Sequence, residues 1–332
     1  MRPALLPLLL GLAGCASSYD PCFLPPSLVS DLRILGVRAD PPEVVYDAQS
    51  FSSGVVVVSA LLARPQKGAS RVEVRLRACV PQASGRCPAE QPWELSSLGD
   101  DDNPAEFALQ IQPALVQAAL AADPLHGYGG VRVQLEVQGF TSDGPGPQAS
   151  KLLLMSPAAP GHVPNHSFEV TGLAFVNAGL VRHAPTGAEV TLDVGGSVGL
   201  RPLLAPTPGV GQPDEEYDVV DLLGRTQHLR ERISYSFYVT PHAQFGAVGH
   251  PQAGQDVADE PGPGEAQPPA GLVQLSPLGE TVGRVWVVAR DGRGGEAWSW
   301  AQLTLQDPRD CVLIAGGEPV HYKCGDLEIG CQ

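Results

Sequence analysis

The sequence predicts an all-β protein: two tandem immunoglobulin-like β-sandwich domains with one short helix and a disulfide-tied C-terminal tail. Three observations carry this reading. Several stretches alternate apolar and polar residues with a period of two, as strands with one face on a core and one in water must. Glycine and proline, 38 and 33 of the 332 residues, make up about a fifth of the chain. That is enough to punctuate many turns and too little for a disordered chain. Only one segment has helical character. A single larger sandwich or barrel is the alternative architecture for the same pattern.

In chain order, residues 1–14 form an export signal and 15–30 a tether broken by Pro21, Pro25 and Pro26, a short spacer that is too polar to pack on its own. The first domain is expected over 31–156. In its opening strand Leu32 and Ile34 alternate with polar residues, and Pro41-Pro42 ends it. Residues 55–62 are a continuous apolar run, as in a strand covered on both faces. Residues 71–78 put Val72, Val74, Leu76 and Ala78 on one face and Arg71, Glu73, Arg75 and Arg77 on the other. Residues 131–137 repeat the pattern, with Val131, Val133, Leu135 and Val137 inward and Arg132, Gln134 and Glu136 outward. Between these strands, residues 113–122 begin with proline and are stopped by Asp123-Pro124, which predicts a helix crossing between two sheets. A strand at 151–155 closes the domain.

Residues 157–161, Pro-Ala-Ala-Pro-Gly, read as a hinge, and the second domain is expected over 162–306. Its strands fall near 167–171, 188–194, 217–223, 233–239, 284–290 and 297–305. The last two are joined by Asp291-Gly-Arg-Gly-Gly295, a hairpin loop. Trp286, Trp298 and Trp300 gather on that hairpin, either as core filling or as a recognition strip. Residues 242–270, rich in Pro, Gly, Gln and acids, are long for a connection between strands and so are disordered or functional. Residues 307–332 form a cysteine-rich tail.

The start of the chain sets its address. Arg2 precedes an apolar stretch over 4–12 that is too short to span about 30 Å of hydrocarbon as a helix. Leu12-Ala13-Gly14-Cys15 resembles the lipobox of bacterial lipoproteins. The resemblance implies that the Cys15 thiol carries diacylglycerol, that cleavage precedes it, and that acyl chains such as palmitate fix the protein to a membrane. Each buried CH₂ is worth about 0.8 kcal/mol, so two or three chains anchor durably where one does not. Ser17 in place of an aspartate after Ala16 implies, by resemblance to the sorting rule, the outer membrane, facing periplasm or exterior.

Six cysteines remain: Cys22, Cys79, Cys87, Cys311, Cys324 and Cys331. An even count in an exported chain reads as three disulfides. Cys79 and Cys87 flank the turn-rich Pro-Gln-Ala-Ser-Gly-Arg and are expected to bond. A second pair lies within Cys311, Cys324 and Cys331, and the leftover thiol pairs with Cys22. That last link is hard to reconcile with two domains set end to end. A zinc site using His321 with Cys311, Cys324 and Cys331 is disfavoured, because no Cys-x-x-Cys pair is present.

The net charge of −15 argues against nucleic acid or an anionic lipid surface as partner. Gly195-Gly-Ser-Val-Gly199 formally matches the Gly-x-Ser-x-Gly nucleophile turn, but Pro202, Pro206 and Pro208 deny Ser197 the helix that should follow. Asp100-Asp101-Asp102-Asn103 offers oxygen ligands for Ca²⁺ without the spacing of an EF-hand, and the acids Asp256, Asp259, Glu260 and Glu265 are a weaker cluster. Asp291 is a further Ca²⁺ candidate, or simply a turn aspartate bonded to its own backbone. His162 and His166, four apart, share no helical face because Pro164 separates them. No enzyme and no obligatory cofactor is expected.

The lipobox, Asp31-Leu-Arg-Ile-Leu35, Arg38-Ala-Asp-Pro-Pro-Glu43 and residues 285–295 together resemble uncharacterised lipoproteins of myxobacteria. The last stretch is also similar to the closing hairpin of bacterial Ig-like, PKD and cadherin-like modules. These resemblances imply architecture and address and carry over no catalytic residue. The expected role is non-catalytic binding or scaffolding at the cell envelope toward an envelope protein, a glycan or wall material. An envelope hydrolase and an accessory subunit of a larger machine are the alternatives.

Overall fold

A computed structural model describes residues 26–65, 71–159, 162–177, 180–193, 196–205, 215–221, 223–241, 243, 273–277 and 282–305. Of 244–245, 257–258, 306, 311–314, 321–324 and 327–330 it describes the backbone alone. The chain is two β-sandwiches, a projecting hairpin and a small terminal sheet.

The first sandwich contains β1 (Arg33–Asp40), β2 (Glu43–Tyr46), β3 (Val55–Ala63), β4 (Val72–Cys79), β5 (Leu95–Gly99), β6 (Ala105–Gln110), helix α1 (Pro113–Ala122), β7 (Val131–Thr141) and β8 (Gly144–Pro157). One sheet runs β1-β3-β6 and the other β2-β8-β7-β4-β5. Proline has no backbone N–H to donate, so Pro41-Pro42 ends β1, and the chain crosses to the opposite sheet as β2, parallel to β8. Helix α1 lies where the sequence placed it. It links β6 of one sheet to β7 of the other, burying Val116 and Ala119. Val72, Val74, Leu76, Ala78, Val131, Val133, Leu135 and Val137 all enter one core.

Several faces differ from expectation. Gln134, Glu136 and Arg77, read as facing water, are buried. The loop after β4 folds back over that face. Arg77 Nη2 donates to Glu136 Oε1 at 3.0 Å, Arg77 Nη1 to the carbonyls of Pro88 and Gln91 at 3.0 and 2.8 Å, and Gln82 N–H to Gln134 Oε1 at 3.1 Å. A Cys79–Cys87 disulfide, eight residues apart, pins the loop at its base. Removing it with Cys79→Ala and Cys87→Ala should cost about 2–3 kcal/mol by the loop-closure argument. Urea unfolding of the double variant against wild type measures that loss. Conversely, Val55 and Val57 in the supposedly covered apolar run are 55% and 41% exposed, and only the second half of β3 is covered on both faces.

The second sandwich contains β9 (Val170–Asn177), β10 (Leu180–Pro185), β11 (Glu189–Asp193), β12 (Val198–Leu204), then the hairpin β13 (Glu216–Val220) and β14 (Thr226–Arg230). It continues with β15 (Ser234–Val239), β16 (Ala243–Phe245), β17 (Val257–Ala258), β18 (Val273–Pro277), β19 (Val282–Arg290) and β20 (Glu296–Gln306). Its sheets run β10-β9-β12-β18-β16 and β11-β20-β19-β15-β17, and β13-β14 stands apart as a two-stranded arm. The predicted long connection contains the short strands β16 and β17. Asp256, Asp259, Glu260 and Glu265 lie outside the described residues. Strands β21 (Cys311–Ile314), β22 (His321–Cys324) and β23 (Leu327–Gly330) form the terminal sheet, with Cys311 opposite Cys324 in register.

The two sandwiches meet through sheet faces rather than end to end. Leu35, Leu61 and Ala63 of β1 and β3 form a third apolar cluster with Trp286 and Val288 of β19, against which Tyr238, Trp298 and Trp300 pack. The tether does not merely space the chain. Leu28 forms a parallel bridge with Val239 of β15 and packs on the second core, while Val29 is buried in the junction cluster. The chain therefore touches the second sandwich before it builds the first.

Candidate functional site

The junction gathers a dense set of charged groups, and Arg293 stands at its centre. The turn between β19 and β20 presents it. Gly292 and Gly294 adopt φ of +82° and +114°, which side chains other than glycine rarely tolerate. Asp291, 1% exposed, braces the turn: its Oδ1 accepts from the Arg293 N–H at 2.7 Å and the Gly295 N–H at 2.9 Å. Its Oδ2 accepts from Asn165 Nδ2 at 3.0 Å. Asp291 is thus a turn aspartate bonded to its own backbone, with a second bond to the segment joining the sandwiches.

Three segments supply carboxylates to the Arg293 guanidinium. Glu231, just after the arm, accepts from Nη1 at 3.1 Å, and Glu215, just before it, at 3.4 Å. Glu43 of β2 lies 3.6 Å from Nη2. The Tyr217 ring packs under the guanidinium with its centroid 4.1 Å from Cζ, a further electrostatic attraction. His162 Nε2 is 2.7 Å from Glu43 Oε1, and His166 Nδ1 is 3.0 Å from Glu215 Oε1. The two histidines, which no helix brings together, reach the same site on different partners.

Burial and bonding set these acids apart. Burial alone would raise the Glu43 carboxyl, but hydrogen bonds from Ser156, the Asn165 N–H and His162, with the field of His162, hold it below the ordinary range. Glu231 goes the other way. Burial pushes it up to about 7, Asp291 and Glu215 add repulsion, and the Glu215 N–H and Arg293 only partly offset this. Two buried carboxyls a few ångströms from one arginine therefore hold their protons over different ranges.

A second charged patch occupies another edge of the junction. Arg284 of β19 donates to the Asp101 carbonyl and to Asp102 Oδ1, both at 2.8 Å, and lies 4.1 Å over the Trp300 ring. Arg64 faces Asp101 at 3.5 Å and Arg71 faces Asp100 at 3.8 Å. Asp100 Oδ1 also closes its own turn onto the N–H groups of Asp102 and Asn103. The Ca²⁺ candidates Asp100, Asp101 and Asp102 are therefore matched by arginines, and Asp291 belongs to a different patch. Among the described residues, no group of three or more His, Cys, Asp or Glu side chains is arranged to hold a metal ion. Millimolar Ca²⁺ is expected to leave the melting temperature unchanged, whereas Arg284→Ala should lower stability by about 1–3 kcal/mol, because it strips the donor from the buried Asp101 carbonyl. Calorimetry with and without the ion reads both outcomes.

Glu296 ties a third edge. Its Oε1 accepts from the Val37 N–H of β1 at 3.2 Å, and Lys151 Nζ of β8 lies 3.3 Å from Oε2.

Ser197 is exposed and runs directly into β12 rather than a helix, so its motif is a loop entering a strand. It lines a cleft of about 250 Å³ between edge strands β10 and β11, with Phe175, Leu180, Val181, Leu192 and Arg182. Of the expected cysteine sites, Cys79 and Cys87 are bonded, the side chains of Cys311 and Cys324 lie outside the described set, and Cys15, Cys22 and Cys331 lie wholly outside it. Sequence reasoning missed Glu43, Glu215, Glu231, Arg284, Arg293 and Glu296. A local signal existed for two of them, since Glu215 and Glu231 sit symmetrically at either end of the 216–230 hairpin.

No family model matches the chain, and no curated protein matches it. Solved structures similar to it include the two tandem V-type regions of VCBP3, a v-region-containing chitin binding protein. That match has 12% identity and a TM-score of 0.28, covering 82% of this chain and 99% of that one. Fibronectin(III)-like modules of Clostridium thermocellum CbhA match at 11% identity and a TM-score of 0.23, covering 85% and 100%. Salmonella alpha-2-macroglobulin matches at 9% identity and a TM-score of 0.25, covering 86% of this chain and 17% of that one.

Proposed function

We propose that this protein is a lipid-anchored, non-catalytic binding or scaffolding element of the bacterial cell envelope. The observation that carries the reading is the junction itself. Its buried bonds run from domain to domain rather than into an open cleft: Trp286 and Val288 pack on Leu35 and Leu61, and Arg293 reaches Glu43. Charged side chains used this way hold two sandwiches in one orientation and leave loops and strand edges to meet a partner. The lipobox at Cys15 supplies the anchor, with the outer membrane as the destination. The partner class is an envelope protein, a glycan or wall material.

Cys15→Ala is expected to abolish incorporation of labelled fatty acid and to move the protein from the membrane fraction to the soluble one. Retention in the detergent-extracted membrane fraction would remove the anchor from the reading. A fluorophosphonate probe is expected to leave Ser197 unlabelled. Labelling there would restore the hydrolase alternative.

A further inference from the structure

We propose that the Arg293 cluster is a pH-set latch that holds the β13–β14 arm against the first sandwich and loosens it as the medium passes from acid to neutral. The arm is fixed at two points. Its base is clamped where Glu215 and Glu231 bracket the two strands and share Arg293, which also faces Glu43 of β2. Its tip is held by one hydroxyl: Tyr128 Oη of the first sandwich lies 2.6 Å from the carbonyls of both Val220 and Asp221 and donates to the pair. Between those points β14 is exposed along its whole length. Few buried contacts and two localised attachments are the marks of a segment that opens before the rest of a fold.

The charges make the base sensitive to protons. Glu231 is buried and faces Glu215 from the far strand of the arm, Asp291 and Arg293 from the β19–β20 turn, and, through Arg293, Glu43 from β2. His162 of the connecting segment hydrogen-bonds Glu43, and His166 lies 3.0 Å from Glu215, rather than against Glu231. Arg230 and Arg232 flank it on its own chain. With Glu231 protonated, one guanidinium balances Glu43, Glu215 and Asp291. Its ionisation adds a fourth carboxylate to the same buried volume, where Asp291 and Glu215 already repel it.

The sign follows from linkage. The closed arm keeps the Glu231 proton up to about pH 7, whereas a solvated glutamate in the open arm loses it near the ordinary value of about 4.3. The open form is therefore increasingly favoured as pH rises between these values, and the effect levels off above the upper one. Glu43 acts oppositely, since its closed-state carboxyl is held below the ordinary range. Its contribution is lost only on the acid side of that window.

Release would bare the Tyr128 hydroxyl together with the apolar arm tip, where Val220 and Leu223 are already 52% and 76% exposed. The latch would thus regulate access to one end of the junction, whatever anchors the protein.

Hydrogen exchange on the full chain tests this. After correction for the intrinsic rate, the opening equilibrium of amides in β13 and β14 is expected to rise on the order of 50-fold from about pH 5 to about pH 8 and to flatten above neutrality. Glu231→Gln should reduce that change to less than about threefold, and Asp291→Asn should move the inflection to lower pH by removing a neighbouring negative charge. Tyr128→Phe should weaken the arm by a similar factor at every pH. Amides of β4 and β7 report whether each variant is folded. A pH-independent wild-type arm, an unchanged slope in Glu231→Gln, or a parallel loss of protection in β4 and β7 would overturn the latch.

Discussion

Replacing Trp286 with alanine is expected to lower the free energy of unfolding by about 3–5 kcal/mol and to uncouple the two sandwiches. The indole is fully buried, not in either sandwich core but in the cluster between them, with Val29, Leu35, Leu61, Ala63 and Val288. Its cross-strand partner Trp300 and the neighbouring Trp298 are only partly buried and pack around it. Removing Trp286 leaves a void bounded by sheets from both sandwiches. Each sheet is held in place by its own core, so neither can collapse to fill the gap, and the cavity term stays near its upper range. The wild type should melt in one transition because the junction makes each sandwich part of the other's support. The variant should melt in two, with the lower-melting step the larger loss. A single transition at the wild-type temperature would show that the cluster contributes little.

The second large effect is expected from Arg293→Met, which keeps the length of the side chain and removes its charge. Breaking a buried ion pair by deleting one partner costs about 3–5 kcal/mol, because the remaining charges are stranded in a poorly solvated site. Here the stranded groups are Glu43, Glu215 and Glu231, with Asp291 beside them. The cost should be greatest near neutrality and should shrink toward pH 5, where Glu231 is protonated and one repulsive partner is gone. Adding Glu231→Gln to Arg293→Met should recover part of the loss at pH 8, and the double-mutant cycle measures how much of it was that one charge. Equal destabilisation at both pH values would mean that packing, not charge, accounts for the role of Arg293.

Much of the fold was legible in the chain itself, and the reason is local. A strand shows its side chains alternately to two faces, so the spacing of Val72, Val74, Leu76 and Ala78 gave their inward direction before any partner strand was known. Proline at position 113 and Asp123-Pro124 bounded α1 because both act on the backbone within one turn. The Asp291–Gly295 turn and the Cys79–Cys87 bridge were equally short-range. What covers the outward faces was not legible. Glu136 and Gln134 alternate like wet residues, yet the loop after β4 lies over them, 49 and 52 positions away. Val55 and Val57 read as core, yet their face of β3 lies open at that end of the strand. Nor could the sequence announce the junction. Arg293 is an ordinary polar residue in a glycine-rich turn until the arm brings Glu231 from 62 positions upstream and β2 brings Glu43. The sequence alone determined which faces of the strands point inward, because that depends on spacing within a few residues. Only the tertiary structure decided which carboxylates share an arginine out of water, because that depends on where distant segments cross.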